Sequence, residues 1–392
     1  MEEQRSIADV ESGGHCHFAG HQPARRRQGE AEGPSLHRPA RAVRIAQVAP
    51  LVESVPPRLY GGTERIVSYL TEELVELGHA VTLFASGDSQ TRARLHPGCP
   101  RALRFDRGCR DPIAYQVAMF EQVIQAAPHF DIVHFHGDWM HLPVFRRQDV
   151  PCVTTLHGRL DLPELQPLFA EFSDLPVISI SDAQRRPLAW ANWIATIYHG
   201  LPQQLLAPPE GAGEGYLAFL GRIAPEKRPD LAVRWAVKSG RRLKIAAKVD
   251  RADEEYFAAV IRPLLNQPGI DFIGEIGERE KSEFLGNAAA LLFPGDWPEP
   301  FGLVMIEAFA CGTPVLAYRH GSVPEVVEDG VTGFIVDDEA GALAAIERLD
   351  RLDRARIRGE FERRFTSRRM AEDYLAIYRL LSQPPVSSLE TV

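Results

Sequence analysis

The feature that most constrains this chain is a rhythm. Short apolar runs rich in β-branched residues, bounded by Gly, Pro or Asp, alternate with segments of helical spacing, and the series occurs twice. The first series comprises residues 43–48, 80–85, 131–136, 153–156, 177–181 and 194–198. A Pro/Gly-rich connector without periodicity follows at 201–215, and a second series takes in 216–220, 243–249, 272–273, 290–293, 314–318 and 333–336. The runs are continuously apolar, as in strands covered on both faces. Between the first two, Ile66, Leu70, Leu74 and Leu77 share one face of a helix over 63–77, with Thr63 expected to cap it and Gly78 to stop it. The fold class expected is α/β, with two Rossmann-like, doubly wound parallel-sheet domains at 42–205 and 214–366. Such sheets bind ligands at the carboxyl ends of their strands, so two of them facing one another would share a cleft.

Composition narrows the function. The 392 residues are 45% hydrophobic, enough to fill two cores, and carry a net charge of −9. That balance excludes general nucleic-acid binding, which needs a basic surface to neutralise phosphates. The five cysteines include no C-x-x-C pair, so neither a disulfide framework nor a zinc knuckle is expected. No run reaches the roughly 18 apolar residues of a membrane span, and the N-terminus lacks the apolar core of a signal peptide. No transmembrane segment is therefore expected, and the protein is expected in the cytoplasm. Residues 1–41 are rich in Arg, His, Glu, Gly and Pro and read as a disordered tail.

The densest chemistry lies at 296–307, Asp-Trp-Pro-Glu-Pro-Phe-Gly-Leu-Val-Met-Ile-Glu. A strand end, a Pro-rich turn and a helix start near Gly302 would leave free backbone N–H groups facing an anion, and the glycine admits it closely. Glu299 precedes that helix and Glu307 lies in its second turn. Taken alone, Glu307 reads as readily as an exposed or ion-paired residue. Residues 221–229 place Arg222 and Lys227 just after the first strand of the second series, where two cations can neutralise a diphosphate. In the first series, Gly61 and Gly62 open the first helix. His157, His136 and Asp138 stand at strand ends, the last two as acceptor-side candidates. No G-x-G-x-x-G run is present, so NAD is not expected, and no D-x-D motif at a strand end calls for a metal.

The pattern E-x7-E from Glu299 to Glu307, with 321–327 and 329–334 downstream and 221–229 upstream, resembles glycosyltransferase family 4, a large retaining family. The resemblance covers about residues 43–382 and implies the two-domain fold called GT-B, with the final helix, 367–382, crossing back onto the first domain. It implies that Arg222 and Lys227 hold the donor's phosphates, that Glu299 orients the hexose and Glu307 the ribose, and that Phe301, Gly302 and Leu303 border the donor. Gly61 and Gly62 would cover the donor's phosphates, His157 would contact its sugar, and Ile276 would meet its base. Catalytic roles fall to His157, Glu299, Arg222 and Lys227, with a nucleotide diphosphate sugar as co-substrate and no separate cofactor. UDP-glucose is the donor expected from its commonness in the family; the acceptor, whether saccharide, lipid or small molecule, is not specified. His199 stands where the family commonly has Asn, which leaves its role open. Two other readings share the fold: an isomerase such as a sugar-nucleotide 2-epimerase, which needs no acceptor, and a nucleotide-sugar binder without turnover.

Overall fold

In the computed structural model, which describes residues 41–58, 61–137, 139–211 and 213–383, every strand pairing is parallel. The stretch read as a tail, apart from Arg41, and the candidate Asp138 lie outside the described residues. Seven strands form one sheet: β1 (Arg44–Val48), β2 (Ala80–Ser86), β3 (Arg94–Cys99), β4 (Ile132–Phe135), β5 (Cys152–Thr155), β6 (Val177–Ser179) and β7 (Trp193–Thr196). Six form another: β8 (Tyr216–Ile223), β9 (Leu243–Val249), β10 (Ile270–Gly274), β11 (Ala288–Phe293), β12 (Val315–Tyr318) and β13 (Gly333–Val336). Their orders are 3-2-1-4-5-6-7 and 10-9-8-11-12-13. The direction of winding reverses between β1 and β4, and again between β8 and β11. A crevice opens at such a reversal because the flanking connections leave toward opposite faces.

The apolar runs became central strands: Ile45, Ala46, Ile132, Val133, Leu217, Ala218, Leu291 and Leu292 are all at most 1% exposed. Strand β3, Arg-Leu-His-Pro-Gly-Cys, escaped the sequence reading because Pro97 and Gly98 weaken any strand signal. It lies at the sheet's edge, where a proline's missing donor is tolerated.

Helix α1 (Gly62–Glu76) buries Ile66, Leu70 and Leu74 as its spacing predicts. Its start differs from expectation. The N-cap is Gly61, no side chain caps it, and Thr63 already lies inside the helix. The chain turns into the helix at paired glycines, so a threonine one residue later cannot reach the first N–H groups. At the other end Gly78, with φ 84°, takes the left-handed turn that ends the helix.

The final helix (Ser367–Leu381) packs against α1 and the first sheet. Ser367 Oγ donates to Glu73 at 2.8 Å, and Gln47 of β1 donates to Tyr378 at 2.9 Å. The chain therefore passes between the lobes twice, at 200–201 and 365–367, and the two passages are bonded side by side. Leu201 N–H donates to Phe365 O at 2.9 Å and Ser367 N–H to Leu201 O at 2.8 Å. A Cβ on Gly200 would lie 2.2 Å from Thr366 O, so the close approach requires glycine. Buried Phe301, Phe309, Phe361 and Phe365 continue the apolar core through this junction.

Candidate functional site

Both reversals of sheet order face one cleft of about 480 Å³, and most of the residues singled out by sequence line it. On the second lobe, Arg222 is the penultimate residue of β8, and its guanidinium donates to Glu226 at 2.5 Å and to Asp253 at 3.2 Å. A short 3-10 turn (Pro225–Lys227) brings Lys227 against Glu299, and the two form an ion pair. The ammonium lies 4.6 Å from the Trp297 ring centre, and the indole N–H donates to the same Glu299 oxygen at 3.1 Å. Glu299 is 9% exposed, and its charge is met by one cation and one neutral donor.

The segment downstream fixes that carboxylate. Ser322 N–H donates to Glu299 O at 3.0 Å, and Ser322 Oγ to Phe301 O at 2.9 Å. Gly321 has φ 54°, and a Cβ there would stand 2.4 Å from both Glu299 N and Glu299 O. The helix that follows (Leu303–Ala310) begins from Gly302 at φ 79°, leaving the N–H groups of Leu303 and Val304 at the cleft without helical partners. Glu307, one turn along, is 4% exposed and accepts from Lys281 at 2.6 Å. It is buried and paired, as the cost of an isolated interior charge requires. Ile276 also lines the cleft, in the loop after β10.

The first lobe contributes Gly61 and Gly62 at the start of α1, and His157 just after β5. A Cβ on Gly61 would meet Pro57 Cβ at 2.7 Å, so the turn admits only glycine. His157 Nε2 lies 3.0 Å from His136 Nδ1, and its ring stacks on His199 at 5.2 Å. Burial drives His157 down to about 3 and pushes His136 and His199 well below the usual imidazole range, so all three are neutral at pH 7. His136 does not line the cleft. It is 2% exposed and sits behind His157: Phe135 pairs with Thr154, so His136 stands level with Thr155, two residues short of His157. Its partners are protein groups. Asp138 lies outside the described residues.

Sequence reasoning missed several lining groups. Lys281 and Arg65 find their partners across long separations and no local pattern marks them, whereas Trp297 stands in the 296–307 stretch but its contact with Glu299 depends on side-chain direction. Glu53, with Arg104 at 2.8 Å, and Glu64 form an acidic and basic wall on the first lobe. Burial raises both carboxyls above their ordinary range. Bonds also join the lobes across the cleft's ends. Arg65 and Tyr69 of α1 reach Glu278, and Ser181 Oγ donates to Pro300 O at 2.6 Å. Glu325 accepts from the N–H groups of Asp182 and Ala183, each at 2.7 Å. Among the described residues no cluster of three or more His, Cys, Asp or Glu side chains could hold a metal, and no helix is long and apolar enough to cross a membrane.

This geometry can take an elongated anion with a polyhydroxyl end. Two family models match the chain: "Glycosyl transferases group 1" over residues 207–366 and "Glycosyltransferase Family 4" over 60–227. The chain is similar to a D-inositol 3-phosphate glycosyltransferase of Kribbella flavida, 27% identical over 80% of this chain and 89% of that protein. Among solved structures it resembles sucrose-phosphate synthase from Thermosynechococcus elongatus, with a TM-score of 0.70, 19% identity, and coverage of 86% of this chain and 99% of that one. It also resembles HepE of Anabaena in complex with UDP-glucose, with a TM-score of 0.66, 16% identity, and coverage of 86% and 100%.

Proposed function

Because the chain belongs to the family 4 glycosyltransferases and has the GT-B fold, we propose that it moves a hexose from a nucleotide diphosphate sugar to an acceptor hydroxyl. The transfer retains anomeric configuration and uses no metal. One observation carries this reading. Arg222, Lys227, Glu299, the helix start at Leu303 and Val304, and His157 all line one cleft, with Lys227 paired to Glu299. The cations and the helix start offset the charge that grows on the departing diphosphate. Glu299 accepts from hydroxyls of the hexose, and Glu307, one turn into the helix that forms the cleft wall, accepts from the ribose.

No carboxylate is placed as an obvious nucleophile, so the acceptor oxygen attacks on the face the diphosphate leaves. As the bond from the anomeric carbon to the diphosphate breaks, the acceptor oxygen forms the new bond, and its proton passes to a diphosphate oxygen. The acceptor enters along the wall of Glu53, Glu64 and Arg104, whose paired charges suit a polyhydroxyl molecule better than an apolar one. UDP-glucose is the proposed donor, supported by the HepE complex.

A thermal-shift screen of UDP-, GDP- and ADP-sugars tests the donor. A ligand at about 100 times its Kd stabilises the native state by about 2.7 kcal/mol. UDP-glucose should raise Tm and, with an acceptor library, release UDP. No shift with any nucleotide sugar would overturn the proposal.

A further inference from the structure

Behind His157 runs a chain of buried polar side chains that the transfer scheme does not use. Gln47, His134, His136 and Tyr378 are all at most 2% exposed, and each finds its partners within the chain. Gln47 donates its amide N–H to Tyr378 Oη at 2.9 Å, which turns its carbonyl oxygen toward His136 Nε2 at 2.6 Å. Tyr378 Oη in turn stands 2.7 Å from His134 Nδ1, and His134 Nε2 stands 2.7 Å from Thr155 Oγ1.

Hydrogen-bond direction propagates along this chain. An amide oxygen only accepts, so His136 must carry its proton on Nε2. Burial and the neighbouring imidazoles of His134, His157 and His199 keep His136 neutral, so its Nδ1 is bare and accepts. The atom facing that lone pair is His157 Nε2, which must therefore carry the proton of the His157 ring. Neutral His157 is then left with a bare Nδ1, which is buried and has no hydrogen-bond partner in the protein. The ring to which it belongs lines the cleft. A buried acceptor without a partner is costly unless a ligand supplies the donor.

We propose that Gln47 and His136 are positioning residues: they lock His157 in the Nε2–H tautomer, so that its Nδ1 accepts a hydrogen bond from a hydroxyl of the transferred sugar. The sugar contact rests on the transferase reading above, whereas the tautomer does not. Tyr378, from the final helix, anchors the Gln47 amide and so ties a residue 331 positions away to the state of the cleft.

The test is a long-range 1H–15N correlation spectrum of the 15N-histidine-labelled full chain at pH 7 without nucleotide. His157 should show a protonated Nε2 and a bare Nδ1. A protonated Nδ1, or an imidazolium, would overturn the proposal. Tyr378→Phe frees the Gln47 amide to turn, and His136→Phe removes the link outright. Both should give mixed His157 tautomers and about a tenfold fall in kcat, the equivalent of one hydrogen bond, with the Kd for free UDP within about twofold of wild type. An unchanged tautomer in Tyr378→Phe overturns the proposal even if His136→Phe does not fold. Absence of turnover by the wild-type chain would count against the transferase reading alone, because the tautomer is read without substrate.

Discussion

Lys227 and Glu299 neutralise one another at the edge of the cleft, with Trp297 in contact with both. Their pairing explains how a carboxylate 9% exposed and a cation are tolerated side by side. It also sets what a donor must do, which is to offer phosphate to the lysine and a hydroxyl to the glutamate. Lys227→Ala and Glu299→Ala should each lower kcat/KM by about 10² to 10³. Removing either partner leaves the other largely buried, with side-chain exposures of 20% for Lys227 and 11% for Glu299, so Tm should also fall, by about 2–4 °C for each kcal/mol lost. Steady-state kinetics with scanning calorimetry checks both, and wild-type-like turnover in either variant would reject the assignment. These two residues were legible in the sequence because each sits at a recognisable strand-to-helix turn. Lys281, which holds Glu307, was not, because nothing near position 281 signals what it will face.

At the scale of elements, glycines decide where the chemistry points. Gly321 lets the segment after β12 lie against the backbone of Glu299, and Ser322 then bonds Glu299 and Phe301 in place. Gly321→Ala combines a left-handed backbone, costing roughly 1 kcal/mol, with a clash against main-chain atoms that cannot turn aside. It should cut kcat/KM by more than about tenfold while leaving the far-ultraviolet circular dichroism spectrum intact. A variant with normal kcat/KM would show that the Glu299 turn keeps its shape without this contact. Element reading from sequence succeeded for α1 and for the strands at the centre of each sheet, where periodicity is enforced by burial on both sides. It failed at the edge strand β3, where packing on one side lets Pro97 and Gly98 obscure the pattern. It also misplaced the α1 cap, because entry through Gly61 and Gly62 shifts the helix start by one residue.

Over the whole molecule, buried neutral histidines set an acid limit on stability. Burial lowers His141 and His157 to about 3, and His134, His136 and His199 lie well below the ordinary imidazole range for the same reason. Unfolding exposes imidazoles that titrate near 6.5. Above that pH neither state is protonated, and the histidines' contribution to stability is fully present. As pH falls below about 6.5 the unfolded chain takes up protons that the native state refuses, so stability drops toward pH 3. Each histidine adds up to about 1.4 kcal/mol per pH unit to the slope. Calorimetry should show Tm nearly constant from pH 8 to 7 and falling steeply below 6; a flat profile down to pH 5 would contradict neutral burial. The first lobe, which contains these histidines, is clasped to the second by Glu325 and by the paired passages at 200–201 and 365–367.

By itself the sequence determined the α/β class, the double series of parallel strands, the carboxyl-end placement of Arg222, Lys227, His157 and Glu299, and the membership in family 4. Those follow from periodicity, turn chemistry and short motifs, whose physical causes act over a few residues. Only the tertiary structure decided that Lys227 and Glu299 pair, that Glu307 meets Lys281, that His136 lies behind the cleft rather than in it, and that the final helix reaches Gln47. Such contacts join residues tens to hundreds of positions apart. The burial that makes them strong arises only when both sheets and the returning helix are assembled, and no local pattern encodes it.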